Sequence, residues 1–208
     1  MLKNSKITFL HNRINNLKNV QILELGVSEG HSTKMFLELC DINKGNLTSV
    51  DIVDCSKVSN NPRWEFIKTR DDNFALIKEK IKKPLDLLFI DSLHEADHVK
   101  KIFFNYYSLL KVGGICVIDD ISWLPYVVNK KKENSYIATT NLRTFKKILE
   151  IYNKNIENLS LEFFFEGSGY AIITKKNNNN LLEEEKITFK KRNLKNFIKN
   201  FYLKLPKR

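Results

Sequence analysis

The stretch VQILELGVSEGHS, residues 20–32, decides the fold of this chain. Its first six residues are mostly apolar, which is typical of a strand buried within a parallel sheet. Gly26 and Gly30 follow, and glycine lets a backbone turn sharply and approach a ligand closely. Ser32 or Thr33 is placed to cap a helix. The stretch therefore predicts a strand, a glycine turn and a helix whose first amides face a polar group.

The rest of the chain repeats this alternation of strand and helix. A leading helix is predicted over 7–17, further strands over 47–53, 64–67, 85–90 and 115–118, and further helices over 74–81, 96–110 and 142–152. Strands over 161–165 and 170–174 form a hairpin around the turn EGSG at 166–169. Strands alternating with helices predict an α/β fold with a mostly parallel sheet covered on both faces.

Composition predicts one domain over residues 1–176, followed by an Asn-rich break and a basic amphipathic tail over 177–208. The chain has 208 residues and a formal net charge of +11, which favours anionic partners. Its three cysteines have no paired spacing, so neither a disulfide framework nor a zinc site is expected. No signal peptide and no bilayer-length apolar run are visible, so we expect a cytoplasmic protein.

The glycine turn predicts a nucleotide-like cofactor other than NAD. A dinucleotide fingerprint needs a glycine two residues after the first, and position 28 is serine, which disfavours a nucleotide-sugar dehydrogenase. Asp51 ends the second strand, where an acidic residue can accept both hydroxyls of a ribose or serve only as a turn residue. Asp71 follows the third strand, where an adenine edge would arrive; capping of the next helix is the alternative for that carboxylate.

Carboxylates also follow the fourth and fifth strands. Asp91 ends one strand, and Asp119 and Asp120 end its neighbour. Three carboxylates at one sheet edge repel one another unless protons or a cation neutralise them, and hard oxygen ligands suit Mg²⁺ or Mn²⁺. Capping and turn roles are the alternative for these aspartates. His94, three residues after Asp91, is the candidate general base, with metal ligation or no role as alternatives.

Together, residues 24–32, Asp51, the block around Asp91 and the run LLKVGG that precedes Asp119 and Asp120 resemble class I S-adenosylmethionine-dependent methyltransferases. The likeness is closest to macrocin-type and catechol-type metal-dependent O-methyltransferases and covers roughly residues 8–176. It implies a Rossmann-like seven-stranded sheet with an antiparallel last strand. It also implies cofactor contacts from the set Glu24, Gly26, Ser28, Gly30, Ser32, Asp51, Asp71 and Asp91, a divalent metal such as Mg²⁺ on Asp91, Asp119 and Asp120, and catalytic roles for Asp91 and His94.

The expected function is therefore O-methylation of a small-molecule acceptor assisted by a divalent metal, with a sugar, a nucleotide-linked sugar or a glycan precursor as the favoured class and an anionic one indicated by the charge. A nucleic-acid methyltransferase is one alternative, although no specific nucleic-acid signal is visible. A non-catalytic nucleotide-binding or interaction protein is another. Apolar residues at helical spacing from Leu194 to Leu205 alternate with lysines. Such a helix packs on the body, joins two subunits as a homo-oligomer, or lies on the inner face of an anionic membrane.

Overall fold

The computed structural model describes residues 5–122 and 135–183. Five helices and seven strands follow one another in the order α1 Ser5–Ile14, β1 Gln21–Leu25, α2 His31–Asn43, β2 Asn46–Asp51, β3 Trp64–Lys68, α3 Phe74–Lys80, β4 Leu85–Ile90, α4 Ala96–Tyr107, β5 Leu110–Asp119, α5 Ser135–Lys154, β6 Leu159–Phe164 and β7 Tyr170–Lys175.

The seven strands form one sheet in the order β3-β2-β1-β4-β5-β7-β6. Strands β1 to β5 pair in parallel, and β7 runs antiparallel to both β5 and β6. The predicted fold class is confirmed, including the antiparallel last strand. The strand order reverses between β1 and β4, and in open α/β sheets ligands bind beyond the carboxyl ends of the strands at such a point.

Side chains alternate between the two faces of the sheet, so each face has its own core. Leu23 and Leu25 pack in one core with residues of α3, α4 and α5, whereas Ile22 packs in the other with residues of α1 and α2. Helix α1 also reaches the far edge of the sheet: Phe9 stacks on Phe164 with ring centroids 4.3 Å apart. Two buried layers therefore hold the strand ends in fixed relative positions.

The predicted boundary between α4 and β5 is wrong. The run LKVGG at 110–114 was expected to end helix α4 and to precede a strand at 115–118, but α4 ends at Tyr107 and β5 already begins at Leu110. Leu110 pairs with Leu85, and the register shifts before Ile115 pairs with Leu87. Gly114 allows the close approach of the two strands at this irregularity, because a Cβ there would lie 2.9 Å from the carbonyl oxygen of Leu85.

The first residues after the predicted domain boundary at 176 are hydrogen-bonded to the body. Asn155 exchanges hydrogen bonds with the backbone of Leu182, and the Asn179 amide donates to Asn158. The amphipathic segment from Leu194 onward lies outside the described residues, as do the predicted roles of that segment. Within the described part, no helix is long and apolar enough to cross a bilayer.

Candidate active site

A cavity of about 730 Å³ opens at the carboxyl ends of β1 to β4, within the size range of small-molecule sites. Five residues predicted to contact the cofactor line it, namely Gly26, Ser28, Asp51, Asp71 and Asp91. Several other lining residues were not predicted, among them Cys55, Ser92 and His98. Their positions in the sequence could have indicated them, because each lies in a loop or first helical turn that follows a strand ending at this edge of the sheet.

The glycine turn is shaped by close packing against β4. Gly26 has φ +100°, and a Cβ there would lie 1.9 Å from the carbonyl oxygen of Asp91. Only glycine fits this position, both because of the contact and because of the positive φ. Ser28 also has a positive φ of 50°. The turn thus brings its backbone directly to the edge that carries Asp91.

Asp51 fixes the same turn through hydrogen bonds. Its Oδ2 accepts the backbone N–H groups of Val27 at 2.8 Å and Ser28 at 3.1 Å, and its Oδ1 accepts that of Val53 at 2.8 Å. Burial by itself would raise the pKa of this carboxyl, but the backbone donors outweigh it and lower the pKa. Asp51 is therefore an ionised acceptor that lines the cavity and organises its glycine wall.

Glu24 lies beneath the turn and is fully buried. Its carboxyl accepts hydrogen bonds from Ser32 at 2.6 Å, Thr33 at 2.7 Å and Ser49 at 2.6 Å. Burial raises the pKa of Glu24 despite these donors. Of the predicted cofactor contacts, Glu24, Gly30 and Ser32 are absent from the cavity lining, so contact with the methionine part stays a prediction for them.

Asp71 belongs to a polar cluster on the cavity wall. Ser92 Oγ donates to Asp71 Oδ2 at 2.5 Å, and His98 Nε2 lies 2.7 Å from the same oxygen. Asp71 does not cap the next helix, because the N-cap position of α3 belongs to Asn73, which makes no side-chain cap hydrogen bond.

His94 and two predicted carboxylates meet beside the cavity. His94 Nε2 lies 3.5 Å from Asp91 Oδ1 and 3.5 Å from Asp120 Oδ2. Thr144 on α5 donates to the backbone oxygen of His94 at 3.3 Å. Asp120 has φ +57°, a conformation that Asp tolerates better than most residues and that is enriched at functional sites. The imidazole of His94 thus lies between two carboxylates.

Asp119 shares this environment from a more buried position. It is 8% exposed, and its Oδ1 accepts hydrogen bonds from Ser168 Oγ at 3.2 Å and from the backbone of Asp120. Burial raises the pKa of the nearby Tyr170, and the charges of Asp119, Asp91 and Asp120 raise it further. Among the described residues, no three His, Cys, Asp or Glu side chains are grouped closely enough to hold a metal ion. Metal binding by Asp91, Asp119 and Asp120 stays a prediction.

Known proteins resemble the chain at two levels. Residues 23–121 match the model of a family described as a methyltransferase domain. No curated protein sequence matches the chain. A Staphylococcus aureus protein with a proposed caffeoyl-CoA O-methyltransferase assignment has a TM-score of 0.63 at 19% identity, with 84% of this chain and 85% of that one covered.

Two further enzymes, from mycinamycin biosynthesis and tomaymycin synthesis, have the same fold. MycE of the mycinamycin pathway, solved with Mg, S-adenosylhomocysteine and mycinamycin VI, has a TM-score of 0.63 at 20% identity over 86% of this chain and 51% of its own. The chain thus spans about half of MycE. The O-methyltransferase TomG of Streptomyces achromogenes, solved with S-adenosylmethionine, has a TM-score of 0.63 at 14% identity over 85% and 82% of the two chains.

The likeness to solved structures shows the fold, and the family match covers the last three residues of β1, the glycine turn, Asp51, Asp91, His94, Asp119 and Asp120. Residues 23–121, a little under half of the chain, therefore resemble a methyltransferase domain.

Proposed function

We propose that this protein transfers the methyl group of S-adenosylmethionine to a hydroxyl oxygen of a small-molecule acceptor. The observation that carries the proposal is His94, whose Nε2 lies 3.5 Å from each of two carboxylates at the rim of the cofactor cavity. A histidine so placed can take the proton that a hydroxyl must lose when it is methylated. The shared fold of the O-methyltransferase TomG supports the same acceptor atom.

The chemistry needs alignment more than covalent help from the protein. S-adenosylmethionine supplies a methyl group on a sulfonium, a good leaving group, so the acceptor oxygen forms the new C–O bond while the C–S electron pair stays on sulfur. Asp51 and the glycine turn position the nucleoside and keep the donor in register with the acceptor. His94 Nε2 accepts the hydroxyl proton, and the carboxylates of Asp91 and Asp120 stabilise the resulting imidazolium.

The carboxylates of Asp91, Asp119 and Asp120 are of the ligand type that divalent cations prefer. Asp91 and Asp120 each lie 3.5 Å from His94 Nε2, and carboxylate oxygens are the ligands that Mg²⁺ prefers. These two residues would hold the ion, with Asp119 as the third predicted ligand. A bound cation would lower the pKa of an acceptor hydroxyl. The Mg in the MycE complex supports this part of the proposal.

Charge distribution guides the choice of acceptor. Residues 1–4, 123–134 and 184–208 contain 13 of the 35 Lys and Arg residues but only 3 of the 24 Asp and Glu residues. Residues 5–122 and 135–183 thus carry nearly equal numbers of basic and acidic residues. The excess positive charge lies in the other three segments, one of which, 123–134, follows Asp119 and Asp120 in the sequence. We therefore propose an anionic acceptor, such as a phosphorylated or nucleotide-linked sugar. For residues 184–208 we also propose binding to an anionic lipid surface, which sedimentation with anionic liposomes would test.

The test is methyl transfer from labelled S-adenosylmethionine to a panel of anionic sugars and catechols, with and without Mg²⁺ and chelator. His94→Gln should reduce kcat at least about 100-fold, the usual scale of a lost general base, while S-adenosylhomocysteine still binds. Binding without turnover on any acceptor would favour the non-catalytic alternative. Full activity in chelator would remove the metal from the proposal and leave His94 in place.

A further inference from the structure

Three side chains, one from the loop after β4 and two from α4, converge on the backbone and carboxylate of Asp71. Ser92, just after β4, and His98, in the first turn of α4, both contact Oδ2 at 2.5 Å and 2.7 Å. Tyr106, two turns further along α4, donates its hydroxyl to the backbone oxygen of Asp71 at 2.7 Å. The loop after β3 is thus tied to β4 and α4, and the Asp71 carboxylate has a fixed orientation.

This cluster has one oxygen left for another partner. The side chains of Asp71 and His98 are only 12% and 11% exposed, and both residues line the cavity. Oδ1 of Asp71 has no hydrogen bond or ion pair with any residue that the structure describes. With Oδ2 occupied by two neighbours, Oδ1 presents a lone pair in a partly desolvated setting, where a hydrogen bond is stronger than in water.

We propose that His98 is a positioning residue that sets the base specificity of the cofactor site. It acts through Asp71: by holding Oδ2 together with Ser92, it keeps Oδ1 as an acceptor for the exocyclic amino group of adenine. This inference rests on the proposed binding of S-adenosylmethionine in the cavity. A base with a carbonyl oxygen in place of the amino group would set acceptor against acceptor, and an unpaired buried acceptor is unfavourable.

A merely structural histidine would behave differently. If His98 only joined α4 to the loop after β3, its removal would weaken all ligands of the cavity equally, because the whole wall would loosen. If His98 is a positioning residue, its removal should lower the preference for adenine over a carbonyl-bearing base. The affinity for the parts that both ligands share should be retained. The ratio of two dissociation constants separates these cases.

The experiment measures binding of S-adenosylhomocysteine and S-inosylhomocysteine by calorimetry. The wild-type protein should prefer the adenosyl compound by about 10- to 100-fold, the scale of one hydrogen bond to a charged group. His98→Leu should bring this preference close to unity. His98→Gln, whose amide N–H can replace that of Nε2, should restore most of it.

The controls make each result decisive. Equal weakening of both compounds by His98→Leu, with an unchanged ratio, would overturn the inference. If that variant does not fold, Ser92→Ala removes the other donor to Oδ2 and should lower the ratio in part; an unchanged ratio there would also overturn it. Failure of wild-type protein to bind either compound would instead reject the proposed function on which the inference rests.

Discussion

The carboxylate of Asp51 lies 2.8 Å from the backbone nitrogen of Val27, so the residue expected to bind the ribose also holds the glycine turn that faces it. One side chain thus contributes to the shape of the site before any ligand arrives. Loss of this carboxylate should therefore lower both protein stability and cofactor affinity, whereas a simple ribose contact would lower affinity alone.

Asp51→Asn tests this double role. Its amide group would face a backbone N–H, donor against donor, so we expect about 1–3 kcal/mol lower stability and weaker binding of S-adenosylhomocysteine. The folded pKa of Asp51 lies below the ordinary 3.8, so its stabilisation is present above pH 3.8 and is lost as pH falls through the lower folded value. Urea unfolding between pH 6 and pH 3 should show the two proteins converging in acid. Asp54→Asn, outside the cavity lining, is the control for affinity.

Gly26→Ala should abolish cofactor binding and strongly destabilise the fold. The new Cβ would lie 1.9 Å from the carbonyl oxygen of Asp91, and the backbone there cannot move without disturbing β4. Gly113→Ala is a matched control, because Gly113 also has a positive φ, +80°, but open space around its Cβ. That variant should cost only about 1 kcal/mol in thermal or urea unfolding. Equal effects of both substitutions would disprove the importance of close packing at Gly26.

The buried carboxyl of Glu24 predicts a pH dependence of opposite sign. Burial raises its folded pKa above the ordinary 4.5, so the folded state binds the proton more tightly than the unfolded state. The wild-type protein should therefore lose stability relative to Glu24→Gln as pH rises from 4.5 through the folded pKa. Urea unfolding of both proteins at pH 4.5 and pH 8 measures this difference. Glu38→Gln, which alters an exposed carboxylate of α2, should show no comparable trend.

Asp120→Asn should separate charge from backbone shape. Asn tolerates the left-handed conformation seen at Asp120, so stability should change by less than about 1 kcal/mol. Removal of the negative charge beside His94 should lower kcat, since the imidazolium loses one of its two carboxylate neighbours. Asp120→Val would add strain in the left-handed region and should lower thermal stability as well. Unchanged kcat in the Asn variant would remove Asp120 from the reaction.

Periodicity was sufficient to predict the sheet, because buried strands such as β4 are almost wholly apolar and their order along the chain follows the α/β pattern. It failed at β5, where Gly113 and Gly114 are typical of a helix end but here serve an irregular strand. Glu24 shows a second limit: the sequence places it at a strand end, but only the folded structure shows three hydroxyl groups surrounding its carboxyl.

The contact between His98 and Asp71 was invisible for a different reason. These residues are 27 positions apart, and their meeting depends on the docking of α4 against the loop after β3. His94 and Asp91 are only three positions apart, so the strand end and the short following loop already indicated their proximity. Local spacing thus indicated the contact of His94 with Asp91 but not the contact of His98 with Asp71.

Among the strands of the described residues, β7 is synthesised last, yet it occupies the interior position between β5 and β6. A ribosome that has released residues only up to β6 therefore exposes a chain in which β5 has an open edge and β6 has no neighbour in the sheet. Open edges of this kind pair with other chains. Premature stop codons or proteolysis before residue 170 should consequently yield aggregates, and production of this protein in cells should depend on rapid completion of its last hairpin.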